Sequence, residues 1–470
     1  KDPRGGVGLA AEPQTVVLDY SSPNVAKRLH VGHLRSTIIG EAMKRILAFL
    51  GHKAIADNHV GDWGTQYGLL ITAFRRWADE EALQADPIGH LEALYQKASA
   101  TAKEDPEFAA EGRRELAKLH QGDPENLALW KRFVDLSRAD VEELYDMLDV
   151  TFDHWLGESF YHEYLDDLVK RLEAEGLARE DQGALVIFFE GDADLEETPF
   201  LIRKQDGAFL YSTTDLATLE YRLAEWKPDR ILYFVDRRQS LHFKQLFAAA
   251  RRMGIETVEL EHISFGSIMN KEGRPLKTRE GGTPSLRALL QEGVDAAREL
   301  LKANRPDFSD EQIERVAKAV GIGAIKYADL SQNRNTDYKF DLAKMIAFEG
   351  DTGPYLQYTY ARISSIFRKL ETPWTAPETI QLTHPDEIAL ARHLVRFEET
   401  LAKAGETCMP NYLCDYLFNL AKSYSTFYTN CPILKSEGAV RETRLALCRA
   451  VQHQLAAGLT CLGIEPLEEM

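Results

Sequence analysis

The chain has 470 residues, of which 44% are hydrophobic, a size and composition that predict a globular protein of about two or three domains. Its formal net charge of −18 at pH 7 argues against a polyanionic partner, and the absence of any apolar run of about 18 residues argues against a membrane-spanning helix. All five cysteines lie in the last quarter of the sequence without a C-x-x-C pair, which favours a reduced, cytoplasmic protein and argues against a zinc site.

The first predicted unit is a strand, a loop and a helix. Residues 16–20 are β-prone, and an apolar stripe over residues 34–50 predicts an amphipathic helix that ends at Gly51. The loop before the helix contains two histidines around one glycine, His30, Gly32 and His33. Free backbone N–H groups and the helix dipole favour an anion at such a junction. Imidazoles there could donate hydrogen bonds to phosphate, and the glycine could let a flat base approach the backbone.

A simpler interpretation of this motif is two partly buried histidines at an ordinary loop-to-helix junction. The residues that precede it favour a ligand site instead. Ser21, Ser22, Pro23 and Asn24 form a turn just beyond a strand end, where ligands of open α/β sheets bind, and Lys27 adds a cation.

The following segments predict one more strand and two insertions. A strand near residues 54–56 is followed by residues 75–138, which are charged and helical and are expected to lie on the edge of the sheet. A second insertion spans about residues 155–207, with a β-rich stretch at 184–189 and a hairpin turn at 206–207.

The sheet is expected to resume after this turn. The pattern predicts strands at 209–212 and 230–235 and helices near 216–224 and 241–253, an alternation that is typical of a parallel, doubly wound sheet. From about residue 286 the pattern is helical. The expected α/β architecture therefore comprises a linker (1–15), a split Rossmann-like parallel-sheet domain (16–290), a helical junction (291–350) and an all-α C-terminal bundle (351–470).

The C-terminal segment departs from the strongly acidic average. Residues 351–470 hold 11 basic and 14 acidic residues, so most of the negative charge lies in the first 350 residues. Basic residues recur there with helical spacing, namely Arg362, Arg368, Lys369, Arg441, Arg444 and Arg449. Local basic patches can bind RNA on an acidic protein, although composition alone favours no RNA partner.

Several motifs, in order along the chain, resemble those of a known family. They are DYSSPNVAKRLHVGHLRSTIIG (19–40), NHVGDWGTQ (58–66), YSTTD (211–215), QSLHF (239–243) and the stretch 324–362, which contains IKYADLSQNRNTDYKFD. Together they resemble the class I aminoacyl-tRNA synthetases, and specifically the arginyl-tRNA synthetases of the bacterial type. The matching motifs span nearly the whole chain.

The resemblance implies that the chain ligates L-arginine to tRNA(Arg) with ATP, through an arginyl-adenylate, and releases AMP and pyrophosphate. It also implies Mg²⁺ with the ATP, no protein-bound metal, an anticodon-binding C-terminal bundle and a monomer without a membrane partner. Full-length members usually carry a further N-terminal domain, which this sequence would lack. Two alternatives stay open: a synthetase-like tRNA-binding protein without charging activity, and a different adenylate-forming nucleotidyltransferase.

The resemblance places the phosphate and nucleotide site at His30, Gly32 and His33, with Lys27 as a further cation and His242 as a further nucleotide contact. The region that matches the family's KMSKS loop departs from that pattern, and its candidate cations are Lys277 and Arg279. A basic surface loop without a catalytic role is the alternative interpretation of this region.

Selection of arginine requires acidic and planar polar groups, because a guanidinium binds through its fork of N–H donors. Asp19 and Asp215 are the acidic candidates. The resemblance adds Ser22, Asn24, His33, Tyr211 and Gln239 as arginine-contacting positions. Taken singly, Asp215 is better explained as a helix N-cap and Tyr211 as a strand-packing residue, but one shared crevice would favour the arginine site.

Overall fold

The computed structural model describes residues 2–270, 272–274 and 284–470. The strands in these ranges are β1 (Thr15–Asp19), β2 (Lys53–Asp57), β3 (Arg179–Asp181), β4 (Ala184–Ile187), β5 (Phe200–Arg203), β6 (Arg230–Tyr233), β7 (Glu259–His262), β8 (Ile268–Met269) and β9 (Tyr338–Lys339). The helices before the last third of the chain are α1 (Val31–Leu50), α2 (Gln66–Trp77), α3 (Glu80–Ala85), α4 (Pro87–Glu104), α5 (Pro106–His120), α6 (Pro124–Leu148), α7 (Glu158–Ala174), α8 (Tyr211–Trp226), α9 (Ser240–Arg252) and α10 (Leu286–Asn304). The remaining helices are α11 (Asp310–Leu330), α12 (Leu342–Met345), α13 (Gly353–Arg368), α14 (Pro385–Leu394), α15 (Phe397–Thr407), α16 (Asn411–Asn430) and α17 (Gly438–Cys461).

The central sheet consists of four parallel strands in the order β2-β1-β6-β7. Val17 in β1 is fully buried between Ile55 and Ile231 of the neighbouring strands, as expected for a parallel sheet that is covered on both faces. The chain passes from β1 to β2 on one side and later to β6 on the other. The loops after β1 and β6 therefore diverge at the carboxyl ends and open a crevice. The parallel sheet predicted from the sequence is confirmed.

Helix α1 occupies the segment predicted by the apolar stripe. His30 is its N-cap, and Gly51, with a φ of 96°, ends it in the left-handed conformation that favours glycine. The stripe from Leu34 to Leu50 is buried and packs against the sheet and the C-terminal helices. The strand-loop-helix unit that begins the fold is confirmed.

Two insertions separate β2 from β6. Helices α2 to α6 pack around an apolar core of their own, and α7 packs with an antiparallel sheet of order β3-β4-β5. The helices predicted for residues 75–138 are present, and the β-rich stretch at 184–189 contains β4. A bridge between Arg203 and Phe209 closes the hairpin turn predicted at 206–207.

The prediction of a strand at residues 209–212 is wrong, because α8 begins at Tyr211. The residues there are β-prone, but the hydroxyls of Ser212 and Thr213 donate hydrogen bonds to main-chain carbonyls of β5. These bonds hold the first turn of a helix against β5. Tertiary contacts therefore override the local preference of the sequence.

A buried ion-pair cluster joins the ends of β1 and β2 to α8. The guanidinium of Arg222 donates to Asp19 at 2.7 Å and to Asp57 at 2.9 Å. The side chains of Arg222 and Asp57 are 0% exposed, and that of Asp19 is 8% exposed. Charges in such surroundings are tolerated only when they are paired, so this cluster depends on all three residues.

Replacement of Arg222 by methionine is expected to lower the free energy of unfolding by about 3–5 kcal/mol, because two buried carboxylates then lose their cation. Arg171→Met is the matched control, since Arg171 pairs with Glu220 at the surface. This substitution should lower the free energy of unfolding by at most about 1 kcal/mol. Urea unfolding of both variants at pH 7 measures the difference. Equal losses in the two variants would contradict the role of the buried cluster.

The C-terminal helices pack directly on α1. A Cβ atom at Gly405 in α15 would approach the Leu50 side chain of α1 to 2.8 Å, so glycine allows the two helices to pack closely without moving that side chain. Lys326 in α11 is buried and donates to the main-chain carbonyls of Leu148 and Gly463, and burial lowers the pKa of its amine to about 8. The helical pattern predicted after residue 286 is confirmed. No helix in the described part of the chain is long and apolar enough to cross a bilayer.

Candidate active site

The loop between β1 and α1 contains three residues in the left-handed backbone region that are not glycine. They are Ser21, Ser22 and Ala26, with φ values of 69°, 45° and 60°. Surrounding hydrogen bonds hold this strained conformation, since the N–H of Ser21 donates to Ser36 at 2.9 Å and that of Ser22 to Asn58 at 3.0 Å. Such strain is concentrated at functional sites, where a backbone shape is over-determined by its surroundings.

His30 and His33 cap the N-terminus of α1 reciprocally. Nδ1 of His30 accepts a hydrogen bond from the N–H of Gly32 at 3.0 Å, and Nδ1 of His33 accepts one from the N–H of His30 at 3.1 Å. The two ring centroids are 4.0 Å apart. Since each Nδ1 accepts, each neutral ring carries its proton on Nε2 and can donate there to another group.

Both rings are held neutral by their surroundings. Burial, with a smaller contribution from the neighbouring His30, lowers the pKa of His33 to about 4. Burial and the charge of Arg238 lower the pKa of His30. The site therefore offers two fixed, neutral N–H donors beside the positive end of the α1 dipole, which suits a phosphate.

A pH dependence of stability follows from His33. The unfolded chain takes up a proton on this ring as the pH falls below about 6.5, whereas the folded chain does so only near pH 4, so stability is lost through this window. Between pH 7 and pH 5 the wild type loses free energy of unfolding through His33. We expect His33→Gln, which keeps the capping acceptor, to reduce this loss by up to about 2 kcal/mol. Urea unfolding across this range measures it, with pH 7 to 8 as the control window. Equal slopes in both proteins would contradict the assignment.

Gly32 and Lys27 flank the histidine pair. A Cβ atom at Gly32 would lie 2.7 Å from the His30 ring, so glycine leaves room for the ring that caps the helix. Lys27 is exposed, and its ammonium lies 5.5 Å from the centroid of the Tyr95 ring. Lys277 and Arg279, the candidate cations of the KMSKS-like region, lie outside the described residues.

An acidic cluster, defined as Asp62, Glu158 and Asp215, lies near the same loop. Burial raises the pKa of Glu158 to about 7; His59 lowers it, and the charges of Asp215 and Asp62 raise it. Asp215 contacts Nε2 of His242 at 2.6 Å and lies 3.9 Å from Nε2 of His59. A partly buried carboxyl such as Glu158, with two further carboxyls beside it, favours a cation as its partner.

Glu158 is a site residue that the sequence analysis missed. It is the first residue of α7, inside a segment that looked like an ordinary insertion. No local pattern distinguishes it from other acids at helix N-termini, and only the fold brings it near Asp215, which is 57 positions later in the chain. A perturbed carboxyl in a cleft is a candidate ligand-binding group.

The structure places two of the predicted arginine residues, Asn24 and Tyr211, along the same cavity as Glu158, and a third, Asp215, belongs to the acidic cluster. Asn24, Glu158 and Tyr211 line one cavity of about 670 Å³. Tyr211 is 57% exposed at the start of α8, and so it lies at a helix N-terminus and not at the strand end that the sequence suggested. Asp215 lies inside α8, whose N-cap is Leu210, so the N-cap explanation of this aspartate is wrong.

The remaining predicted residues lie on the two loops that border the crevice. Asp19 ends β1 and is paired with Arg222, and the hydroxyl of Ser22 donates to Asp19 at 3.0 Å. Gln239 lies in the short turn after β6 that leads into α9 and is exposed. These positions come from both sides of the point where the strand order diverges. Among the described residues, no group of His, Cys, Asp and Glu side chains could hold a metal ion.

Residues 5–342 match the family model described as tRNA synthetases class I (R), catalytic domain. The chain belongs to this family. Residues 356–470 match the DALR anticodon binding domain, which corresponds to most of α13 and all later helices. This class I synthetase therefore combines a parallel-sheet catalytic domain with a helical C-terminal domain, as expected from the sequence.

Relatives of this class I synthetase cover its whole length. The arginine–tRNA ligase of Cellvibrio japonicus is 46% identical, over 100% of this chain and 83% of the relative. That of Chromobacterium violaceum is 45% identical, over 100% of this chain and 83% of the relative. The arginyl-tRNA synthetase structure of Thermus thermophilus superposes with a TM-score of 0.84 at 28% identity, covering 99% of this chain and 84% of that one. The Plasmodium falciparum structure gives the same TM-score of 0.84 at 30% identity, covering 98% and 78%.

Proposed function

We propose that this chain ligates L-arginine to tRNA(Arg) with ATP, through an arginyl-adenylate, and releases AMP and pyrophosphate. The observation that carries this proposal is the partly buried acidic cluster near the loop that leads into the histidine-capped helix, in a chain that shares its full length with arginine–tRNA ligases. A relative without catalytic activity would have no reason to keep the strained loop after β1, the two neutral histidines and the acidic cluster together.

The arginine side chain enters the acidic cluster. Its guanidinium binds between Glu158 and Asp215, and the Tyr211 hydroxyl and the Gln239 amide add neutral hydrogen bonds. Asn24, Ser22 and His33 lie toward α1 and bind the amino and carboxylate end. Asp19 is shared between Arg222 and Ser22, so it acts by orienting the Ser22 hydroxyl.

Such a site discriminates by charge. Citrulline has the shape of arginine without its charge, and lysine has a charge without the planar fork of donors. Either would leave buried acceptors of the cluster without partners, which lowers binding steeply.

The arginine carboxylate attacks the α-phosphate of ATP in line, and pyrophosphate leaves. The protein's contribution is to position both reactants and to stabilise the charge that develops on the phosphate oxygens. His30 and His33 donate through Nε2, Gly32 keeps the capping ring in place, and Lys27 brings a cation. Lys277 and Arg279 supply further cations from the KMSKS-like region.

Mg²⁺ accompanies ATP and neutralises charge on its phosphates. We further propose that the chain acts as a monomer in the cytoplasm. Its DALR domain binds the anticodon region of tRNA(Arg), and the basic residues of the C-terminal helices contact phosphates in a salt-dependent manner.

Formation of AMP distinguishes the ligase from a tRNA-binding relative without activity. The purified chain is mixed with ATP, Mg²⁺ and tRNA(Arg), and AMP release is followed with and without L-arginine. We expect AMP release that requires arginine. Tight binding of tRNA(Arg) with no arginine-dependent AMP would support the non-catalytic alternative.

A further inference from the structure

His242 contacts two of the residues proposed to bind arginine, Asp215 and Tyr211. It lies in the first turn of α9, three residues after Gln239, and is only 9% exposed. Its Nε2 contacts Asp215 at 2.6 Å, and its ring packs 4.8 Å from that of Tyr211. Phe200 and Phe243 enclose the ring from other sides, at 5.6 and 5.3 Å.

The chemistry of this contact fixes one protonation form. A carboxylate only accepts hydrogen bonds, so the short contact places a proton on Nε2 of His242. Nδ1 is buried and has no partner among the described residues. His242 therefore donates to Asp215 through Nε2.

The contact also fixes the orientation of the Asp215 carboxylate. Oδ2 is held by His242, while Oδ1 lies 3.9 Å from His59. Without His242 the carboxylate could rotate toward Tyr211 or His59. We propose that His242 is a positioning residue that holds Asp215 in the orientation in which it receives the guanidinium of arginine, and this inference depends on the proposed function.

This role differs from the nucleotide contact expected from the sequence. The side chain of His242 is directed to Asp215 and enclosed by aromatic rings, so it acts on amino-acid binding through another residue. A loss of His242 should therefore change the arginine KM and leave the ATP KM unchanged.

An isosteric pair of variants tests this inference. The amide nitrogen of glutamine reaches the place of Nε2, whereas that of asparagine reaches only the place of Nδ1. We expect His242→Gln to keep the arginine KM within a few-fold of wild type, and His242→Asn and His242→Ala to raise it by roughly 10- to 100-fold, as for loss of a charged hydrogen bond. Equal arginine KM values for the glutamine and asparagine variants, or parallel increases for ATP, would overturn the inference.

A second measurement leaves His242 intact. In NMR spectra of the protein labelled with ¹⁵N-histidine, we expect His242 to carry a proton on Nε2. The signal of this Nε2–H group should shift in Asp215→Asn. If no Nε2–H signal differs between the two proteins, the contact is absent and the inference fails. Failure of the proposed function is separate, because it appears as absence of arginine-dependent AMP release in the wild type.

Discussion

Replacement of Asp215 by alanine is expected to raise the arginine KM by roughly 30- to 5,000-fold, with the ATP KM nearly unchanged. Asp215 is one of the three carboxyls in the acidic cluster, and the pKa of Glu158 is raised to about 7 by burial, with a further contribution from Asp215. A guanidinium that enters this cluster loses its hydration water and needs both Glu158 and Asp215 as partners. Removing one partner of a desolvated charge pair costs about 2–5 kcal/mol.

Steady-state charging assays at varied arginine and varied ATP concentrations measure the two KM values separately. Asp194→Ala is a matched control, since Asp194 is a 74% exposed acid that pairs with Lys244 at the surface. The control should keep both KM values. An unchanged arginine KM in folded Asp215→Ala would show that the acidic cluster is not the guanidinium site.

The variants His33→Ala and Lys27→Ala are expected to slow adenylate formation by roughly a hundredfold or more. His33 supplies a neutral Nε2–H donor at the N-terminus of α1, held there by its bond from the His30 N–H at 3.1 Å. Lys27 is an exposed cation on the same loop. A preorganised donor stabilises the transition state most, because charge then develops on the phosphate. Its loss should therefore lower the rate of the chemical step more than the affinity for the substrates.

Single-turnover experiments separate activation of arginine from transfer to tRNA. Lys53→Ala serves as the control for lost positive charge, because Lys53 is exposed at the start of β2, at the end of the sheet opposite the crevice. We expect slow activation and normal transfer in both site variants. Intact activation with slow transfer would contradict the phosphate role.

The sequence predicts those parts of the site that depend on local spacing. The apolar stripe locates α1, the strand before it locates the crevice, and the spacing of His30 and His33 makes the capping box possible. Each of these features needs only residues within one turn or one strand of another, and local preference decides them.

The acidic cluster could not be predicted in the same way. Glu158 and Asp215 come from different helices, and His242 reaches Asp215 from a third. Arg222, which neutralises Asp19, is equally distant in sequence. Such pairs are created by tertiary packing, and no periodic pattern in one sequence indicates them. The strand predicted at 209–212 failed for the same reason, since bonds to β5 favoured a helix.

The most direct test of the account is charging of tRNA(Arg) itself. The purified chain is incubated with ATP, Mg²⁺, tRNA(Arg) and labelled amino acid, and acid-precipitable label is counted for arginine, lysine and citrulline in parallel. The account predicts that arginine is attached to the 3′ end of the tRNA, that charging stops without ATP, and that lysine and citrulline remain at background. Equal charging with citrulline, or no charging with arginine by a folded protein that binds tRNA(Arg), would contradict it.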